Sequence, residues 1–200
     1  MIFFDNYLDT ICDRIKKVDI NLLHHTARLI ADTNDNGGKV ILAGNGGSAS
    51  IASHISVDLI NSAQIRTTNF NDASLLTCLA NDYGYERWLE KGIESCAVKG
   101  DLAIMISSSG RSANIINGAL KARELGMRVV TFSGFNADNP LRKTGDVNFW
   151  VNSSIYNIVE ITHQIWLSAI ADMISVENHD ILPTEELNFF PSPSLFHLLK

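Results

Sequence analysis

A chain of 200 residues, 46% apolar and 19% charged, is long enough for one well-formed α/β core, and a single domain is the default reading. Its net charge of −6 comes without any basic stripe, which argues against nucleic acid as a partner, and no apolar run reaches bilayer length, which argues against a membrane. Asp5, Asp9 and Asp13 interrupt any signal-peptide layout, and Cys12, Cys78 and Cys96 are odd in number without metal-type spacing. The expectation is a cytoplasmic protein with reduced thiols.

In chain order, residues 2–34 read as helix, because Leu8, Ile11, Ile15, Ile20, Leu23, Ala27 and Ile30 recur every three to four positions. Asn34, Asn36, Gly37 and Gly38 end it. Residues 39–43 form a short buried strand that stops at Gly44, and a helix follows over 48–61 with Ser48 as N-cap. Residues 64–70 read as a second strand. Helices over 75–80 and 84–97 flank an Asn81-Asp82-Tyr83-Gly84 turn. A strand at 101–107 leads to a helix at 113–125, closed by Gly126. Strands at 128–133 and 146–151 precede a long apolar helix at 155–174. Residues 175–200 carry Pro183, Pro191 and Pro193 and read as a tail, with helix at most over 195–199. Strands alternating with helices imply a parallel sheet covered on both faces. Ligands then bind beyond the carboxyl ends of the strands.

Two strand ends carry unusual chemistry. After the strand at 101–107 comes Ser107-Ser108-Ser109-Gly110-Arg111-Ser112 and then a helix. A helix N-terminus offers unpaired N–H groups and partial positive charge, which makes an anion site. Four hydroxyls add donors that can turn toward phosphate oxygens, and Gly110 lets the backbone come close. No Gly-Lys-Ser/Thr follows and no dinucleotide fingerprint is present, so a compact phosphate monoester fits better than a nucleotide. The first strand ends in Gly44-Asn45-Gly46-Gly47-Ser48, where a ligand can lie against bare backbone. On the helix that follows, His54 and Asp58 stand four residues apart on one face. That spacing suits a base with its orienter, two metal ligands, or an ordinary surface pair. On the late apolar helix, Glu160 and His163 need partners, at the site or at a helix or subunit contact.

Gly44-Asn45-Gly46-Gly47-Ser48, Asn81-Asp82-Tyr83-Gly84 and Ser107-Ser108-Ser109-Gly110-Arg111-Ser112-Ala113-Asn114, in that order, resemble the sugar isomerase (SIS) domain family, and within it the phosphoheptose isomerases. The resemblance spans residues 1–174, with 175–200 as an atypical tail. It implies a three-layer α/β/α sandwich around a five-stranded parallel sheet, flavodoxin-like, with a long N-terminal helix. It also implies a homotetramer with active sites between subunits. The implied activity is conversion of sedoheptulose 7-phosphate to D-glycero-D-manno-heptose 7-phosphate, which feeds lipopolysaccharide or capsule synthesis. By the same resemblance, Ser107, Ser108, Ser109 and Ser112 hold the phosphate, and Asn45, Gly46, Ser48 and Asp82 hold the sugar. His54 falls on a metal ligand, and Asp58 on a catalytic Glu. A Gln and a His of the family's late helix fall at Val159 and Leu167. His163, four residues from each, shares their helix face and is the candidate replacement. The expectation is therefore zinc on His54, Asp58 and His163, with Asp58 or Glu160 as base and His163 as acid. The competing expectations are a non-catalytic phosphosugar-binding protein, like the DnaA initiator-associating protein, or an isomerase of another sugar phosphate.

Overall fold

Strand β1, Val40–Ala43, lies beside β3, Leu102–Ser107, inside a five-stranded parallel sheet of order β2-β1-β3-β4-β5. The remaining strands are β2 at Thr67–Asn69, β4 at Arg128–Ser133 and β5 at Val147–Trp150. The computed structural model describes residues 2–179, so the helix expected within 195–199 and the three prolines of the tail lie outside the described residues.

Every residue of β1 and β3 is buried, and alternation decides which layer each one joins. Val40 and Leu42 face a core built with α2 (Ile20–Asp35), α3 (Gly47–Asn61) and α7 (Tyr156–His179). Ile41 and Ala43 face the opposite core, made with α5 (Trp88–Cys96) and α6 (Ala113–Glu124). Helix α4 (Ala73–Tyr83) packs Leu76 and Leu79 onto that second layer. Each fully buried Leu or Ile contributes roughly 1.5–3 kcal/mol, and because both faces are covered in this way the strands read as continuous apolar runs. The expected three-layer sandwich with five parallel strands is the observed fold.

Several boundaries differ from expectation. The N-terminal helix is two helices, α1 (Ile2–Lys16) and α2. Asp19 restarts the chain by accepting the Asn21 N–H as an N-cap. The Ile15 carbonyl, one of α1's terminal acceptors, takes the Trp166 indole N–H from α7 at 3.0 Å. Ser48 is not an N-cap: α3 starts at Gly47, with Gly46 as cap at φ 53°. The strand expected at 64–70 shortens to three residues behind Gln64, whose φ is also positive at 56°. The helix expected from Gly84 begins only at Trp88, since Gly84 ends α4 at φ 83°. Helix α7 runs on to His179 instead of stopping at 174. Its last turns are held to the end of α3, where Ser175 Oγ donates to the Ser62 carbonyl and Asn178 Nδ2 to that of Ala63. Among the described residues, no helix is long and apolar enough to cross a membrane.

At the N-terminal end of the sheet, the buried Asp101 carboxylate accepts the Lys39 and Val98 backbone N–H groups, both at 2.9 Å, and the Lys39 ammonium at 2.6 Å. Burial pushes the Asp101 carboxyl up, but the Lys39 ammonium and the two N–H donors more than offset this, and its pKa lies below the ordinary value. Asp101→Ala leaves these donors unpaired at the start of β1 and β3. It is expected to lower unfolding stability by about 3 kcal/mol, read as a reduced urea midpoint at unchanged m-value.

Candidate active site

The chain leaves β1 for α3 on one face of the sheet and β3 for α6 on the other. The carboxyl ends of these neighbouring strands thus form a topological switch point, with two helix N-termini beside one crevice. A cavity of about 110 Å³ lies there. Asn45 and Ser48 line it from the glycine turn, four serines from the turn after β3, and Tyr156 and Glu160 from α7. A larger depression of about 480 Å³ opens at the opposite end of the sheet, beside Lys39, Arg66 and Asp101. Its charged groups are already engaged, Lys39 with Asp101 and Arg66 with Asn34.

The turn after β3 is shaped by one close approach. Gly110 sits at φ 63°, and a Cβ there would lie 2.0 Å from Asn139 Oδ1. Asn139 is fully buried and donates to Ser133 Oγ at 3.0 Å and to the Asn136 carbonyl at 2.9 Å. Gly110 is therefore required both for its φ and for the missing side chain. The turn's hydroxyls are held from within it: Ser107 Oγ donates to Ser112 Oγ at 3.1 Å, and Ser109 Oγ accepts the Arg111 backbone N–H at 3.3 Å. Ser112 occupies the N-cap of α6 without a side-chain capping bond, so the Ala113 and Asn114 N–H groups are not consumed by their own cap, while that of Ile115 goes to the Ser112 carbonyl.

Across the cavity, Glu160 reaches in from α7. Its Oε1 accepts from Ser108 Oγ at 3.1 Å, and Ser108 Oγ lies 3.4 Å from Ser48 Oγ. Its other oxygen rests over Gly47, where a Cβ would come within 2.2 Å. Gly47 thus lets a carboxylate approach the N-terminus of α3, where the helix dipole favours negative charge. Asn45 is bonded to Asn114 and Tyr85.

Of the residues expected at the site, Asn45, Ser48, Ser107, Ser108, Ser109, Ser112 and Glu160 come together around the cavity. Gly46 caps α3 beside it. Asp82 does not line it; it lies in the last turn of α4, exposed, and accepts from Asn81 Nδ2. His163 is displaced from its expected role. It is fully buried beneath the end of β4, with Nε2 donating to the Ser133 carbonyl at 3.1 Å, and its ring meets Phe132 edge-on. Its face of α7 is indeed the one that carries Val159 and Leu167, but that face is core. Val159 packs over Gly134, and Leu167 is 1% exposed. His54 and Asp58 form a pair at 3.2 Å on the outside of α3, with side chains 62% and 34% exposed. Among the described residues no three His, Cys, Asp or Glu side chains converge on a point. The expected zinc set of His54, Asp58 and His163 therefore does not fit a metal within one chain, because a buried ring already bonded to a carbonyl cannot turn to meet an exposed pair. Tyr156 belongs to no motif in the sequence, although it stands one helical turn before Glu160, the spacing that places both on one face. Asn114 closes the serine motif and Tyr85 follows the Asn81-Asp82-Tyr83-Gly84 turn, but their role becomes visible only through Asn45.

A family model described as SIS domain matches residues 3–134. A phosphoheptose isomerase of Aliarcobacter butzleri is 33% identical over 161 residues, 78% of this chain and 85% of that protein. One from Helicobacter pylori is 31% identical over 155 residues, 74% of this chain and 80% of that protein. Among solved structures, the phosphoheptose isomerase of Neisseria gonorrhoeae superimposes with a TM-score of 0.78 at 26% identity, covering 86% of this chain and 96% of that one.

His163 gives the site's surroundings a pH signature. Burial lowers its pKa from 6.5 to about 4, against the opposing bond to the Ser133 carbonyl. The folded state thus holds the neutral ring while the unfolded chain protonates below 6.5, so stability is full above that pH and falls as pH drops toward about 4. Across that window the loss from this group is about 3 kcal/mol. His163→Leu is expected to flatten the fall, measured as urea stability at pH 7 and at pH 4.5 for both proteins.

Proposed function

We propose that this chain, which belongs to the SIS domain family, is a phosphosugar isomerase that interconverts sedoheptulose 7-phosphate and D-glycero-D-manno-heptose 7-phosphate. The observation that carries the reading is the cavity between β1 and β3, where a serine turn at the N-terminus of α6 and the Glu160 carboxylate face one small space. Relatives named phosphoheptose isomerase match across the same segments.

In this reading the phosphate sits against Ser107, Ser108, Ser109 and Ser112 and the free N–H groups of α6. Anchoring it there fixes the far end of the open-chain sugar and so orients the reacting carbons. As the hydroxyl proton passes from one oxygen to the other, aldose–ketose conversion moves a proton from the carbon beside the carbonyl to the carbonyl carbon. Glu160 is the base that carries it, being the one carboxylate lining the cavity among the described residues. The Asn45 amide donates to the oxygen that gains negative charge. No step runs through a metal or through His163. The product supplies heptose for lipopolysaccharide or capsule, made in the cytoplasm.

The protein works as a homotetramer in the same reading. Ile2, Phe3, Phe4 and Leu8 leave an exposed apolar surface on α1, and Val57 and Ile60 do the same on α3 beside the His54–Asp58 pair. Apolar helix faces of this kind are covered by a partner.

Three outcomes test the reading. Purified protein should interconvert the two heptose phosphates, and Glu160→Gln should lower kcat by at least about 100-fold while leaving heptose-phosphate affinity within a few-fold. The double change Ser109→Ala, Ser112→Ala should weaken that binding by about 1–3 kcal/mol in titration calorimetry, whereas unphosphorylated sedoheptulose should bind poorly to the native protein. Sedimentation at micromolar concentration should give a tetramer, and a monomer would remove the assembly from the proposal.

A further inference from the structure

The Asn45 side chain is held more completely than any hydroxyl in the cavity. Its Nδ2 donates to Asn114 Oδ1 at 2.9 Å, and Asn114 Nδ2 donates back to Asn45 Oδ1 at 2.9 Å. The Tyr85 hydroxyl donates to the same Asn45 oxygen at 3.2 Å. A primary amide has two N–H donors and one oxygen with two acceptor sites. Both acceptor sites of Asn45 are filled and one donor is used, which leaves a single N–H. Asn45 is also one of the residues that line the cavity.

The three partners come from three separate stretches of chain. Asn45 follows β1, Tyr85 follows the Gly84 that ends α4, and Asn114 is the second residue of α6, just after the serine turn. Asn114 is 2% exposed, so the side of the pair away from the cavity is sealed from water, where hydrogen bonds hold geometry best. Turning the Asn45 amide over would require Asn114 to turn with it and the Tyr85 hydroxyl to accept instead of donate, so three groups from three segments must change together. The amide is therefore fixed before any ligand arrives.

We propose that Asn114 and Tyr85 are positioning residues that lock the Asn45 amide with its one remaining N–H directed into the cavity, so that Asn45 acts on substrate as a donor only. The ligand atom it meets is an acceptor oxygen, the carbonyl or enediolate oxygen of the open-chain sugar, and not a hydroxyl hydrogen. A donor fixed in advance costs no reorganisation when charge develops on that oxygen. This inference rests on the isomerase reading for the identity of the substrate, while the lock itself rests on the three bonds alone.

A double-mutant cycle separates positioning from mere structural support. With sedoheptulose 7-phosphate as ligand, Asn45→Ala and Asn114→Ala should each lower kcat/KM by at least about tenfold, and their combination should cost less than about twofold beyond Asn45→Ala alone, since residues that act as one unit are not additive. Additive losses, or a wild-type kcat/KM in Asn114→Ala, would overturn the proposal. Tyr85→Phe covers the case in which Asn114→Ala does not fold, because the Tyr85 ring is half exposed and the change removes one oxygen. It should lower kcat/KM several-fold in the native background and have no effect in the Asn45→Ala background. The same cycle run on equilibrium binding of sedoheptulose 7-phosphate requires no turnover. A third readout requires no ligand: Tyr85→Phe should shift the Asn45 side-chain amide resonances of ¹⁵N-labelled protein, and unshifted resonances would overturn the lock. If the native protein binds the heptose phosphate with a non-additive cycle yet shows no turnover, the isomerase reading fails and the lock stands.

Discussion

The site depends on two neighbouring parallel strands whose chains depart to opposite faces of the sheet. Strands β1 and β3 pair directly from Val40 with Leu102 to Ala43 with Met105. Because α3 then packs on one face and α6 on the other, neither helix blocks the space beyond the strand ends. Both helices point their N-termini at that space, and both turns must be tight. Gly47 gives way to the Glu160 carboxylate, and Gly110 gives way to the Asn139 amide. These are two different uses of a missing Cβ. One lets a functional group into the crevice, and the other lets a buried amide hold the floor of the serine turn.

An acidic chain with a net charge of −6 has no global field to draw in a phosphate, so attraction must be local. The local elements are the N–H groups of α6, uncapped by Ser112, and hydroxyls that can donate in any direction. Glu160 is the anion already present. It lies where the α3 dipole offsets its charge and where Ser108 donates to it. A carboxylate beside an anion site is costly unless such donors offset its charge, and their presence supports the proposal that Glu160 carries the proton.

Helix α7 carries two sets of residues that a linear reading cannot tell apart. Val159, His163, Trp166 and Leu167 lie in the core, while Tyr156 and Glu160 reach the cavity. His163 and Glu160 are three positions apart, close enough to be taken for one pair, yet the angle between them puts one ring against Phe132 and the other group against Ser108. The buried imidazole is kept neutral by desolvation and bonded through a single nitrogen, which is the state of a packing residue.

The sequence by itself determined the parallel sheet, through short continuous apolar runs alternating with helical periods, and it determined the serine turn, because four hydroxyls and a glycine between a strand and a helix are legible within one segment. It determined the glycine turn as well, and the family through the order of its motifs. These features are local: spacing within one segment is enough to see them. What only the tertiary structure decided is which side chains meet across segments. It split the first helix at Asp19, whose capping bond interrupts an unbroken hydrophobic period. It turned His163 inward and left His54 with Asp58 on an open surface. It joined Asn45, Tyr85 and Asn114, from three distant stretches, into one hydrogen-bonded unit. Periodicity fixes the face of a helix a residue occupies, but whether that face meets core, cavity or solvent depends on the elements packed against it, and their positions are set only when the whole sheet has formed.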